Sequence, residues 1–181
     1  MRIHAENLKK MAKTKGLDAA RLGEVVARAG MKGDKATSAV TNWMAGRDHP
    51  RCKAADIKKL SAALGCEPAE IAKFESILYY HRGSPRKANL LVQLIRGKRI
   101  DVAENLLTFT TKRAAVDVKR CLLSARDDAE RANADVTSLV VHESVVDEGP
   151  MMKRFQPKDR GRAHRILKRM SHIRISLVSK A

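Results

Sequence analysis

The chain has 181 residues, enough for one ample domain or two small ones, and its 37 Lys+Arg against 20 Asp+Glu leave a formal net charge of +17. A surplus of this size repels itself unless a polyanion neutralises it, so nucleic acid leads the partner classes, while the lack of a long apolar run or a signal-peptide core argues against a membrane. Cys52, Cys66 and Cys121 lie far apart with no C-x-x-C pair and no His at zinc-ligand spacing, which excludes a zinc site and fits a reducing cytoplasm, and aromatics at 3% supply few bases' worth of stacking surface.

Residues 1–72 read as short helices, because apolar residues recur at three and four spacings and Val-rich alternation is absent. Leu8 and Met11 mark the first helix. The second is predicted from an Asp18 N-cap through Leu22, Val25 and Val26 to Ala29, with Gly30 as its stop. After a loop, Thr37 or Ser38 caps a helix through Val40, Trp43 and Met44, stopped by Gly46 and Pro50. A fourth helix covers about Ala54 to Leu64, closed by Gly65, and Pro68 opens a last turn to Ala72.

From Phe74 the pattern changes. Phe74, Ile77, Tyr79 and Tyr80 form a short β-prone run, after which Ser84 caps a helix through Ile95 that Gly97 ends. Asp101 and Glu104 have the spacing of a capping box for a short helix carrying Val102, Ala103, Leu106 and Leu107. A long helix is expected from about Lys112 to Ala132, with Ala115, Val118, Leu122, Ala125 and Ala129 on one stripe.

Residues 136–146 are Val-rich, and Ile173, Ile175 and Leu177 alternate with His172, Arg174 and Ser176, which predicts two strands of one sheet. Between them, after Pro150, Lys153, Arg154, Lys158, Arg160, Arg162, Arg165, Lys168 and Arg169 meet one acid, Asp159. A disordered basic loop is the plain reading of such a run, but the flanking strands favour a long hairpin arm spanning about 139–178, with a reach on the order of 50 Å at roughly 3.3 Å per residue. Such an arm lacks a core and needs RNA phosphates as packing partners. Splitting the chain after Ala72 leaves +6 before the cut and +11 after it. No carboxylate pair, nucleophile elbow, phosphate-binding Gly loop or metal-ligand set is present, so neither an enzyme nor a cofactor is expected.

Five blocks together are specific: Ser84-Pro85-Arg86-Lys87-Ala88 with Leu94-Ile95-Arg96-Gly97-Lys98; Phe109-Thr110 with Lys112-Arg113-Ala114-Ala115; Val146-Asp147-Glu148-Gly149-Pro150; Lys153-Arg154-Phe155 with Pro157; and Arg160-Gly161-Arg162-Ala163, Arg165-Ile166, Lys168-Arg169 and Ser171-His172-Ile173. Over positions 75 to 181 the chain resembles the universal large-subunit ribosomal protein twenty-two family. It departs from that family's pattern near the tip, at Lys158 and Asp159, where Arg and a small residue are usual.

The resemblance implies an α+β fold, a small antiparallel sheet with three helices and a long β-hairpin arm. The implied function is that of a structural constituent of the large ribosomal subunit. It would bind rRNA, support assembly beside neighbouring ribosomal proteins, and line the exit tunnel, touching the nascent chain, in a cytoplasmic, ribosome-bound setting. Carried onto matching positions, Ser84, Arg86 and Lys87 would meet rRNA at a helix N-terminus, and Lys112 and Arg113 would hold it at the start of the long helix. Lys153, Arg154, Lys158, Arg160, Arg162, Arg165, Lys168 and Arg169 would line the arm, with Gly161 permitting a close approach or a kink. His172 is read as a hydrogen-bonded structural residue.

Residues 16–72 are similar, more loosely, to the Cro/repressor class of helix-turn-helix domain, on Ser38-Ala39-Val40-Thr41-Asn42-Trp43-Met44-Ala45-Gly46-Arg47, Pro50 and the segment Ile57 to Ile71. The chain would then be organised as an all-α helix-turn-helix-like extension at 1–72 and an rRNA-binding domain at 73–181. In that class Thr37, Ser38, Thr41 and Asn42 would read bases, Arg47 would add a contact, and Trp43 would pack inside. The loop Gly30 to Ala36 is longer than the class's tight turn. Three uses compete for this extension: rRNA binding, which is preferred, DNA binding as a transcription regulator, and protein docking.

Overall fold

A computed structural model describes residues 1–179 and divides the chain into two compact units. Unit one holds Met1–Phe74, Asp128–Leu139 and the chain from Val178; unit two holds Glu75–Asp127 and Val140–Leu177. The segment 128–139 therefore folds with the N-terminal unit although it is remote in sequence.

Unit one begins with β1 (Arg2–Ile3), followed by α1 (Ala5–Lys15), α2 (Ala19–Val26), α3 (Asp34–Met44), α4 (Ala54–Leu64) and α5 (Pro68–Ile71). β1 pairs antiparallel with the first residues of β2 (Ala72–His81), Arg2 opposite Lys73. Leu8, Leu22, Val40, Trp43, Ile57, Leu60 and Ile71 are buried together as the spacing of apolar positions requires. Trp43 is fully buried, and its indole N–H donates to the Pro50 carbonyl at 2.6 Å, so the ring's polar edge is satisfied inside the core. Gly16 and Gly65 end α1 and α4 in the left-handed conformation that glycine adopts without a Cβ penalty.

Two boundaries differ from the sequence reading. α2 stops at Val26, because Arg28 and Met31 exchange backbone hydrogen bonds in a tight β-bridge that cannot continue a helix. α3 starts at Asp34 after Gly33, so Thr37 and Ser38 lie within the helix and neither is its N-cap.

Unit two contains α6 (Pro85–Ile95), α7 (Ile100–Phe109), most of α8 (Ala114–Glu130), and the strands β3 (Leu139–Glu148), β4 (Met152–Pro157), β5 (Ala163–Lys168) and β6 (Ser171–Ser179). β2, β6 and β3 are neighbours in that order, and β4 and β5 form a separate two-stranded sheet. Ile173, Ile175 and Leu177 are buried from β6, and Leu91, Val92, Ile95, Ile100, Leu107, Val118 and Leu122 from the helices. The predicted stripe on α8 is buried throughout, Ala129 included.

The expected capping box on α7 is absent. Arg99 holds the N-cap position, which moves Asp101 and Glu104 two residues along the helix. Glu104 instead accepts from Lys119 at 3.2 Å and Arg126 at 3.3 Å, tying α7 to α8.

The buried positions of β3 end at Ser144, and the strand is exposed from Asp147 outward. β3 is anchored in the body by Val141 and Ser144, whose hydroxyl donates to the Val92 carbonyl at 2.9 Å. The strands are interrupted at Gly149–Met151, where Gly149 N–H still donates to the Met170 carbonyl at 2.9 Å, and the ladder runs on from Met152 opposite Lys168 to Pro157 opposite Ala163. Six residues per strand give this outer ladder a length of about 20 Å.

Candidate nucleic-acid interface

Three groups of cations can be separated by what surrounds them. The first lies at the start of α6, where His81, Arg82, Gly83, Ser84, Lys87, Leu90, Lys112, Arg113 and Ala114 line one cleft of about 630 Å³. Ser84, Lys87, Lys112 and Arg113, expected at two separate places in the sequence, are thus brought together. Arg86 is exposed but does not line this cleft.

Local structure explains the convergence. Pro85 occupies the first helical position, where its missing N–H costs nothing, and turns the chain into α6 directly after the strand β2. Ser84 stands at the N-cap position yet makes no side-chain capping bond; its carbonyl accepts instead from the N–H groups of Lys87 and Ala88. Lys112 and Arg113 precede α8 rather than sitting within it, and the Lys112 carbonyl accepts from Ala115 N–H. Behind the cleft His81 is buried, with Nδ1 2.8 Å from Asp117 Oδ2, which fixes the ring against Gly83.

His81, Arg82 and Gly83 were not singled out from the sequence. Gly83 directly before the Ser-Pro helix start is the signal that was available, since a glycine there marks a close approach.

The second group is the arm. Lys153, Arg154, Lys158, Arg160, Arg162, Arg165, Lys168 and Arg169 are all exposed, and none makes an ion pair among the described residues. Some cations of the body are paired by contrast: Arg28 reaches Asp56 at 2.6 Å, and Arg174 reaches Asp147 at 3.0 Å. At the tip Arg160 and Gly161 both have positive φ, 53° and 71°, and Arg162 N–H donates to the Asp159 carbonyl across them at 3.1 Å. This is the backbone of a two-residue turn whose twist suits a hairpin. Gly161 has nothing within 4 Å of an added Cβ, so the turn's dihedral angle, not crowding within the chain, explains the glycine.

A further cleft at the root of the arm is lined by Arg82, Gly83, Ser84, Met152, Leu167, Lys168 and Arg169. His172, at the start of β6, accepts from Tyr80 N–H through Nδ1 at 3.1 Å, the hydrogen-bonded structural use expected of it.

The third group is in unit one, around the outer face of α3. Ser38 and Thr41 are exposed, and Thr37 and Asn42 are half-buried. Ser38 and Asn42 share a shallow pocket with Arg28, Lys35, His49 and Lys53. Three of the four expected base-reading side chains have their donors engaged: Asn42 Nδ2 with the His49 carbonyl at 3.0 Å, Thr41 Oγ1 with the Thr37 carbonyl at 2.9 Å, and Thr37 Oγ1 with the Gly33 carbonyl at 3.5 Å. Arg47 is exposed beyond the end of α3 and does not line the pocket.

Burial favours the protonated form of all three thiols. Burial, with the Asp56 and Asp48 carboxylates adding to it, pushes Cys52 up to about 12, and burial likewise raises Cys66 and Cys121. Among the described residues no helix is long and apolar enough to cross a membrane, and no group of three or more His, Cys, Asp or Glu is placed to hold a metal.

The family model for ribosomal protein L22p/L17e matches residues 76–178. The chain is also similar to the large ribosomal subunit protein uL22 of Magnetococcus marinus, 50% identical over 99 residues, which cover 54% of this chain and 88% of the relative.

Proposed function

We infer the function from one premise: this chain belongs to the ribosomal protein L22p/L17e family. It is a structural, non-enzymatic constituent of the large ribosomal subunit, where it binds rRNA beside other ribosomal proteins. Its arm carries out that binding by supplying cations that the protein itself leaves uncompensated.

The observation that carries the residue assignment is the concentration of exposed cations on the arm, eight against the single acid Asp159. Eight arm cations without an ion pair among the described residues, on a ladder with almost no buried side chain, form a hairpin that water alone supports poorly. Phosphates along both edges would neutralise it and take the place of a core, each contact releasing a counterion. The cleft at α6 serves as a second phosphate site, with Lys87, Lys112 and Arg113 as cations and the α6 N-terminus as a dipole of matching sign. Arg86 adds a contact outside the cleft, and the arm's tip reaches the polypeptide exit tunnel and the nascent chain.

The N-terminal extension, a helix-turn-helix-like unit, acts as an additional rRNA contact. The engaged donors of Thr37, Thr41 and Asn42 support phosphate contact by the surrounding Lys and Arg over reading of DNA bases.

The arm assignment is tested by replacing Arg160, Arg162 and Arg165 with Ala and following the variant through subunit assembly. Poor incorporation into the large subunit is expected. Incorporation equal to that of the unaltered protein would refute the arm's role.

A further inference from the structure

We propose that Tyr79 and Tyr80, braced by His172, form a platform at the root of the arm on which an unpaired rRNA base stacks. This rests on the reading of the chain as an rRNA-binding protein and adds to it a contact that phosphate binding does not supply.

The two tyrosines are the chain's full complement, and both are exposed, at 62% and 58%. His172 lies edge-on to each, with ring centroids 5.4 Å from Tyr79 and 4.9 Å from Tyr80. The phenol rings are tilted by 43° with centroids 6.4 Å apart, so they are not stacked on one another and neither spends a face on the other. Three rings gathered on an exposed surface, in a chain otherwise so poor in aromatics, form a surface suited to the face of a base.

The backbone adds an independent sign. Tyr80 has φ of 57°, a left-handed conformation that a bulky residue rarely adopts. It is held there by its N–H donating to His172 Nδ1, so the imidazole both fixes the strained residue and packs against its ring. Gly149 closes the arrangement: a Cβ at that position would meet His172 Nε2 at 3.1 Å. Strain maintained by a dedicated partner, at an exposed aromatic, is the pattern expected of a binding surface.

The sequence neighbours of the platform include cations. Arg82, two residues after Tyr80, and Lys168 and Arg169, just before β6, share the cleft at the arm's root. Cations there would take the phosphate of the nucleotide whose base lies on the rings.

The test measures the affinity of the full-length protein for large-subunit rRNA across a salt series, for the unaltered chain, Y79A/Y80A and Y79F/Y80F. Stacking is sequence-tolerant and uncharged, so Y79A/Y80A should bind about tenfold to a hundredfold more weakly with an unchanged salt slope, while Y79F/Y80F keeps its affinity. Ultraviolet cross-linking of the unaltered protein to rRNA, read by peptide mass, should place a nucleotide adduct on Tyr79 or Tyr80 and does not depend on how a variant folds. Equal rRNA affinity of Y79A/Y80A and the unaltered chain would overturn the platform, as would cross-links that all lie elsewhere. Failure of the unaltered protein to bind rRNA in a salt-sensitive way would instead overturn the parent reading.

Discussion

The imidazole of His81 lies against Gly83 so closely that a Cβ built on the glycine would meet His81 Nε2 at 2.3 Å. The ring cannot retreat easily, because it is buried and its other nitrogen is 2.8 Å from Asp117 Oδ2. Gly83→Ala should therefore break the His81–Asp117 contact, distort the cleft that gathers Lys87, Lys112 and Arg113, and destabilise the protein by about 1–3 kcal/mol. Thermal unfolding and rRNA affinity measure both effects. The double variant H81A/G83A should recover part of the loss relative to the sum of the single changes, since it removes the clash. Strict additivity would show that the clash is not the cause.

The cleft and the arm predict a salt signature. Each phosphate neutralised contributes roughly 0.7 to 0.9 to the slope of log affinity against log salt. Replacing Lys87, Lys112 and Arg113 together with Ala should lower that slope by about two to three while leaving the melting temperature nearly unchanged, because all three are exposed. A reduced affinity at an unchanged slope would remove these residues from the phosphate contacts.

The α2–α3 crossing depends on Gly23. A Cβ there would meet the Thr37 backbone nitrogen at 2.9 Å and Cα at 3.0 Å, and backbone on a packed helix has little room to yield. Gly23→Ala should cost about 1–3 kcal/mol of stability, even though alanine is the better helix former. Chemical denaturation measures it, and a neutral or stabilising result would show that the helices can slide apart.

The thiols should differ in reactivity. With Cys52 held up to about 12, on the order of one thiol in ten thousand is ionised at pH 8, so alkylation there should be far slower than at Cys66, the least buried of the three. The folded state favours the protonated Cys52 thiol. Its stabilising contribution is therefore intact below the ordinary thiol value of 9.0 and is lost as pH rises from there towards about 12. Peptide mapping after timed alkylation checks the order, and equal rates at Cys52 and Cys66 would contradict it.

Much of this molecule was legible from local pattern. The stripe on α8 and the alternation in β6 emerged as buried faces because period and burial are directly linked. The α7 capping box misled, since a spacing of three between Asp101 and Glu104 says nothing about long-range partners such as Lys119 and Arg126. Convergence of Ser84 and Lys87 with Lys112 and Arg113 was hidden for the same reason. The bridge between Arg28 and Met31, and the folding of residues 128–139 with unit one, are tertiary outcomes that no local signal carries. The Tyr79–Tyr80–His172 cluster was masked by composition: 3% aromatics argued against a stacking surface until chain folding put three rings side by side.

The most direct test of the central claim is sedimentation of cell extract after a high-salt wash, with intact-mass analysis of this protein in each fraction. The account predicts full-length protein retained in the large subunit, because the family domain at residues 76–178 binds rRNA and the N-terminal extension is proposed to add a contact. Protein found chiefly in the light fractions would contradict it.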